Sequence, residues 1–112
     1  MAVLGAAYRG GVKETAFSGV FPLVDNLSQR GANVRVHDPM YSDAEIRTLG
    51  FEPYDVGEPA DAVVVQANHT QYADLTSNDV PGVRTVVDGR RILSQRDWDV
   101  DTFVVLGQAP FG

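Results

Sequence analysis

The sequence predicts an α/β fold of three layers, an open parallel sheet with helices on both faces. Three observations carry this. Apolar runs of strand length recur at residues 2–7, 62–65, 85–87 and 103–106, and residues 33–37 alternate as a strand does. The run Ala62-Val63-Val64-Val65 is continuously apolar, as befits a strand covered on both faces. Helix-like or polar stretches separate these runs, and a strand–helix–strand rhythm with right-handed crossovers leads to a Rossmann-like wrap.

Taken in order, residues 2–7 are small and apolar until Arg9-Gly10-Gly11 breaks them. From about Phe17 the period turns helical. Val20, Leu23, Val24 and Leu27 fall at i, i+3, i+4 and i+7, on one face. Pro22 is tolerated only near the start of a helix, so Ser18, or a residue within a turn of it, is the expected N-cap. Gly31 is the expected left-handed stop. The next strand ends at Asp38-Pro39. Ser42 and Glu45 have capping-box spacing, and Gly50 closes the helix that follows. Residues 51–54 form a short extended piece, and residues 69–75 a short helix.

The chain has 112 residues, 44% hydrophobic and 21% charged, which fits one globular domain over 1–112 without repeats or linkers. No apolar run approaches the roughly 20 residues that cross a bilayer, and no secretory signal is visible. There are no cysteines, which removes disulfides, thiolate metal sites and a cysteine nucleophile from this chain. His37 and His69 have no metal-ligand spacing. A cytoplasmic location, with no membrane partner, is expected.

The net charge of −6 argues against a nucleic-acid partner. The charge is unevenly spread: residues 41–80 hold one basic and eight acidic groups, and the basic groups gather toward the two ends. In open parallel sheets ligands bind beyond the carboxyl ends of the strands. That rule selects Tyr8, Arg9, Gly10, Gly11 and Lys13 after the first strand. It also selects Gln66, Asn68 and His69 after the central one, and Asp88, Gly89, Arg90 and Arg91 after the next.

Four of the nine Lys/Arg residues (Arg9, Lys13, Arg90 and Arg91) thus share one rim. A bound diphosphate would account for them, with glycines letting backbone N–H groups approach and arginines forking onto the oxygens. Tyr8 is placed to stack on a base or bond to a sugar. Plainer readings stand beside each of these. Gly10-Gly11 is a turn in its own right, Lys13 can pair with Glu14, and Arg90 or Arg91 can pair with Asp88 or face water. His69 and Tyr72 read as a local packing pair, Trp98 as a core or edge anchor.

Gly5-Ala6-Ala7-Tyr8-Arg9-Gly10 nearly repeats the dinucleotide fingerprint, and Asp38 ends the second strand where a ribose-binding acid would stand. Two features oppose NAD there. Ala7 puts a methyl group where the pyrophosphate must meet bare backbone, and Asp38 lies 28 residues after Gly10. A phosphoacceptor receiver domain is excluded because Ala7-Tyr8-Arg9 supplies no carboxylates after the first strand.

The rim residues also belong to an ordered set. Val3-Leu4-Gly5-Ala6-Ala7-Tyr8-Arg9, Ser18 before a helix, Leu27 through Gly31, Val34 to Asp38-Pro39, Ala60-Asp61-Ala62-Val63-Val64, His69 with Tyr72, and Val87-Asp88-Gly89-Arg90 follow one another at characteristic spacing. Together they resemble the C-terminal, UDP-sugar-binding domain of the UDP-glucose/GDP-mannose dehydrogenase family, over nearly the whole chain.

The resemblance implies a piece of an NAD-dependent nucleotide-sugar 6-dehydrogenase, serving polysaccharide biosynthesis, that oxidises the sugar 6-hydroxyl to a carboxylate in two steps. It implies that NAD and the catalytic cysteine belong to an N-terminal domain joined by a long helix. This chain would then bind UDP-sugar without being active alone, and the full enzyme would be a homo-oligomer. Tyr8 and Arg9 stand where the family uses an aromatic and a lysine on the nucleotide and its diphosphate, and Arg90 where it places an arginine at the substrate.

The family pattern Asp-x-Arg-x-Ser-Pro is here Glu14-Thr15-Ala16-Phe17-Ser18-Gly19, so Ala16 removes an arginine for which Lys13 is the candidate substitute. His69 and the Lys-Glu-Thr run lean toward the UDP-N-acetylmannosamine dehydrogenase branch. The alternative is a stand-alone nucleotide-binding module, without catalytic role, for a mononucleotide, NAD or coenzyme A.

Overall fold

The computed structural model describes residues 1–7, 10–11, 13–15 and 18–106. Tyr8, Arg9, Val12, Ala16 and Phe17 lie outside the described residues, as do residues 107–112.

Among the described residues six strands make one parallel sheet: β1 (Ala2–Leu4), β2 (Arg35–His37), β3 (Glu52–Pro53), β4 (Ala62–Val65), β5 (Thr85–Asp88) and β6 (Thr102–Val105). Their order is β3-β2-β1-β4-β5-β6, with Val3 beside both Val36 and Val64, and Val87 between Val64 and Val104. The chain builds outward from β1 on one side, returns, and builds outward again from β4. Strand order therefore reverses between β1 and β4.

Alternation along the strands sends side chains to two cores. Val3, Val36 and Val64 face α1 (Val20–Gln29) and α2 (Asp43–Thr48), packing with Val20, Leu23, Val24, Leu27 and Ile46. Ala2, Leu4, Val63, Val65 and Val86 face the other way, against Tyr54, Tyr72, Val80 and Trp98. Burying each of the larger aliphatic chains is worth ~1.5–3 kcal/mol. Helix propensities differ by ~0.7 kcal/mol or less for ordinary residues, so the apolar stripe decides where α1 lies.

The two outer layers are built differently. Two α-helices cover the first face, as their 3.6-residue apolar period predicts. The second face is covered by 3₁₀ helices at Thr70–Asp74, Ser77–Asp79 and Gln95–Asp97 and by the segments between them. Those connections carry single anchors, Tyr72, Val80 and Trp98, and no stripe long enough to nucleate an α-helix.

Local stops fall where the residue types place them. Gly31 and Gly50 take the left-handed conformation, at φ 90° and 98°. Ser42 and Glu45 exchange both capping-box bonds, at 3.2 Å and 2.9 Å. Gly19 occupies the N-cap of α1, one residue beyond Ser18. The Ser18 hydroxyl still accepts from the Val20 N–H (3.1 Å), but it donates to the Ala6 carbonyl (2.8 Å) and so joins the helix start to the end of β1.

Candidate functional site at the carboxyl rim

The segment leaving β1 crosses the ends of β2 and β4 at the strand-order reversal, held by polar side chains from both. Asp38, immediately after β2, is 3% exposed. Its Oδ2 accepts from the Ala6 N–H (2.8 Å), the Ala7 N–H (3.0 Å) and His69 Nε2 (2.8 Å), while Oδ1 accepts from the Met40 N–H (2.8 Å). A buried carboxylate so supplied with donors is satisfied without a cation.

From β4, Gln66 donates through Nε2 to the carbonyls of Gly5 (2.8 Å) and Ala7 (2.9 Å). Asn68 Oδ1 accepts from the Gly10 N–H (2.7 Å) and His69 Nδ1 from the Gly11 N–H (3.1 Å). That last bond fixes the imidazole: Nδ1 is an acceptor, so the ring proton sits on Nε2 and points at Asp38.

Tyr72 closes the cluster from beneath. Its ring meets His69 edge-on and lies against His37, both at 5.6 Å between centroids. Its hydroxyl is 3.0 Å from His37 Nδ1 and 3.2 Å from the His37 carbonyl. Burial, and then the Asp38 charge, push the Tyr72 phenol up, so it remains protonated. His37 is driven the other way by its burial, which favours the neutral ring.

Close backbone approach explains three glycines, Gly5, Gly10 and Gly89, with a Cβ on Gly10 falling 2.1 Å from the Asn68 carbonyl oxygen. A Cβ on Gly5, which sits at φ 108°, would come within 2.6 Å of the Ala67 nitrogen; one on Gly89 would come within 2.6 Å of the Val65 carbonyl oxygen. The end of β5 is shaped by buried Asp88, whose carboxylate accepts from the Arg90 N–H (3.0 Å) and the Leu93 N–H (2.8 Å). Arg91 takes a left-handed φ of 59° and is exposed. Arg90 Nε donates to the Gln66 carbonyl (2.8 Å), which ties its guanidinium to the residue that grips the β1 loop.

Among the expected rim residues, the structure thus joins Gly10, Gly11, Gln66, Asn68, His69 and Arg90 in one assembly. Lys13 goes elsewhere. Its ammonium pairs with Glu45 of α2, not with the neighbouring Glu14 of the sequence reading, and lies 5.3 Å from the Tyr41 ring centre. Tyr8, Arg9 and Ala16 fall outside the described residues. The sequence reading missed the tie between Asp38 and His69, which are 31 positions apart. Its only local signal was an acid ending the second strand.

Asp38 also bears on NAD. Both of its oxygens are engaged and the side chain is buried, so it presents nothing to a ribose, and the Ala7 N–H that would face a pyrophosphate donates to Asp38. These residues do not fit a dinucleotide. Among the described residues no group of His, Asp or Glu is placed to hold a metal ion, and no helix is long and apolar enough to cross a membrane. Among the described residues, a depression of about 420 Å³ is at the opposite, amino-end edge of the sheet, between Met1, Asn33, Arg35, Tyr54 and Asp61.

Residues 2–95 match the UDP-glucose/GDP-mannose dehydrogenase family, UDP binding domain, and the chain belongs to that family. It is 24% identical over 111 residues to the UDP-N-acetyl-D-mannosamine dehydrogenase of Methanocaldococcus jannaschii, a match covering 94% of this chain and 26% of that protein. It is 28% identical over 98 residues to the enzyme of that name from Pyrococcus horikoshii, covering 85% and 22%. A solved structure, the UDP-D-ManNAc dehydrogenase from Pyrococcus horikoshii, superimposes with a TM-score of 0.68 at 23% identity, over 95% of this chain and 25% of that one. The fold is therefore that of a dehydrogenase domain, and the chain spans about a quarter of the length of these relatives.

Proposed function

We propose that this chain holds the UDP portion of a nucleotide sugar at the carboxyl rim, as the substrate-binding part of an NAD-dependent 6-dehydrogenase acting in two steps. The supporting observation is the β1 loop, laced to β4 at the strand-order reversal with Arg90 beside it, in a chain of this family. The start of α1 adds partial positive charge at the same edge. Tyr8, Arg9, Arg90 and Arg91 are the proposed contacts to the nucleotide and its diphosphate. Lys13 joins them only if the nucleotide displaces Glu45.

NAD supplies the hydride acceptor, held by a part of the enzyme outside this sequence; a cytoplasmic homo-oligomer completes the proposal. The chain has no cysteine to capture an aldehyde, so alone it binds and does not turn over. The names of its relatives point to an N-acetylmannosamine sugar.

Calorimetry tests this reading. UDP is expected to bind in preference to NAD, and Arg9→Ala and Arg90→Ala are each expected to weaken UDP by ~1.5–3 kcal/mol, as charge-assisted contacts do. Tighter binding of NAD, or of coenzyme A, would transfer the chain to the stand-alone nucleotide-binding class. Unchanged UDP affinity in both variants would remove these arginines from the site.

A further inference from the structure

We infer that Asp38, His69 and Asn68 form a positioning strut for the nucleotide-binding loop, a role distinct from contact with the nucleotide. The inference rests on the functional reading above and gives it a mechanism. The described backbone on either side of Tyr8 and Arg9 is held from below: Ala6 and Ala7 by Asp38 Oδ2, Gly10 by Asn68, Gly11 by His69. The two proposed nucleotide contacts are thus flanked in sequence by four anchored amides.

One chain of bonds links both flanks. The Ala6 and Ala7 N–H groups meet the same Oδ2 that accepts from His69 Nε2, and the opposite ring nitrogen accepts from Gly11. The ring works here only as a donor on one edge and an acceptor on the other. A hydrocarbon side chain in its place leaves a buried carboxylate short of a donor and the Gly11 N–H without its acceptor. Asn68 holds Gly10 independently, and its side chain is at the surface, so it can be shortened without disturbing either core. Because Gly10 and Gly11 spend their N–H groups on Asn68 and His69, these amides orient the loop and are not themselves the phosphate donors.

The test compares the unaltered chain with Asn68→Ala, His69→Leu and His69→Gln, each checked for its fold by circular dichroism. Glutamine carries a donor and an acceptor about as far apart as the ring nitrogens. Amide hydrogen exchange without ligand reads the strut directly. Gly10 in Asn68→Ala, and Gly11 in His69→Leu, are expected to exchange at least ~10-fold faster, with His69→Gln within ~3-fold of the unaltered chain. UDP titration reads its consequence, an affinity lower by about 3- to 10-fold in Asn68→Ala and His69→Leu and restored in His69→Gln.

Unchanged exchange at both glycines overturns the inference, and so does faster exchange with undiminished UDP affinity. If His69→Leu does not fold, Asn68→Ala carries the decision. If the unaltered chain takes no UDP, the functional reading fails, while the exchange rates still decide whether the strut exists.

Discussion

His37 ends β2 with its ring against Tyr72 and Nδ1 3.0 Å from the phenol oxygen. Burial is the largest influence on it and holds its pKa below 6.5; the charges of Asp38, Asp55 and Asp43 oppose that, and His69 adds to it. In the unfolded chain the ring titrates near the ordinary ~6.5, so on acidification the unfolded state takes up the proton first. Stability contributed by the neutral ring is therefore complete above ~6.5 and declines as pH falls through that value. The carboxylates of Glu45 and Glu58, both held below the ordinary range by Lys13 and Arg35, lose their contribution only at lower pH. The expected outcome is a melting temperature that drops between about pH 7 and 5, with a shallower slope in His37→Gln over that interval. Parallel slopes in the two proteins would clear His37 of responsibility.

At the scale of elements, α2 shows how little a short helix can do alone. Its six residues, Asp43–Thr48, are below the length at which helices persist in water. What keeps it is Ile46, 2% exposed against the α-side core, together with the capping box at its start and Gly50 at its end. Ser42→Ala removes the side-chain bond to the Glu45 N–H, with an expected cost of ~1 kcal/mol, seen as a melting temperature lower by roughly 3–6 °C. A melt unchanged within error would mean that Ile46 alone holds the helix. This element was legible in the sequence because box, apolar residue and glycine all act within one or two turns. The strands were legible too, except at their ends, where β2 is three residues long and not five. The rim was legible only as a place. Loop-crossing ties such as Lys13 to Glu45 and His69 to Asp38 join residues about 30 positions apart, and no local spacing encodes them. The sequence offered Glu14 and Tyr72 as partners because they are near in the chain; tertiary structure kept Tyr72 and replaced Glu14.

At the scale of the molecule, the sheet is the common wall of two cores, and this has a consequence for unfolding. Val3 of β1 packs on the α-helical side while Ala2 and Leu4 pack on the other; Val64 of β4 is likewise opposed to Val63 and Val65. Neither face can lose its layer without exposing strands that the other face needs. The two faces carry different signals. Trp98, the only tryptophan, is 5% exposed among Val63, Val86 and their neighbours on the 3₁₀ side, whereas α1 and α2, which dominate the far-ultraviolet dichroism, are on the other. Urea unfolding followed by Trp98 fluorescence and by dichroism is therefore expected to give one midpoint and one slope, in the range of ~1–3 kcal/mol per molar usual for small domains. An earlier fluorescence transition would mean that the 3₁₀ layer, which has no apolar helical stripe, detaches while the α-helical side persists. The strut would then have to be separated from that layer as well, since Tyr72 belongs to both: it lies in the core with Trp98 and touches His69 and His37 at the rim. Coincident transitions instead tie the order of the rim to the stability of the whole sheet, so that variants in either core reach the binding loop only by unfolding the molecule.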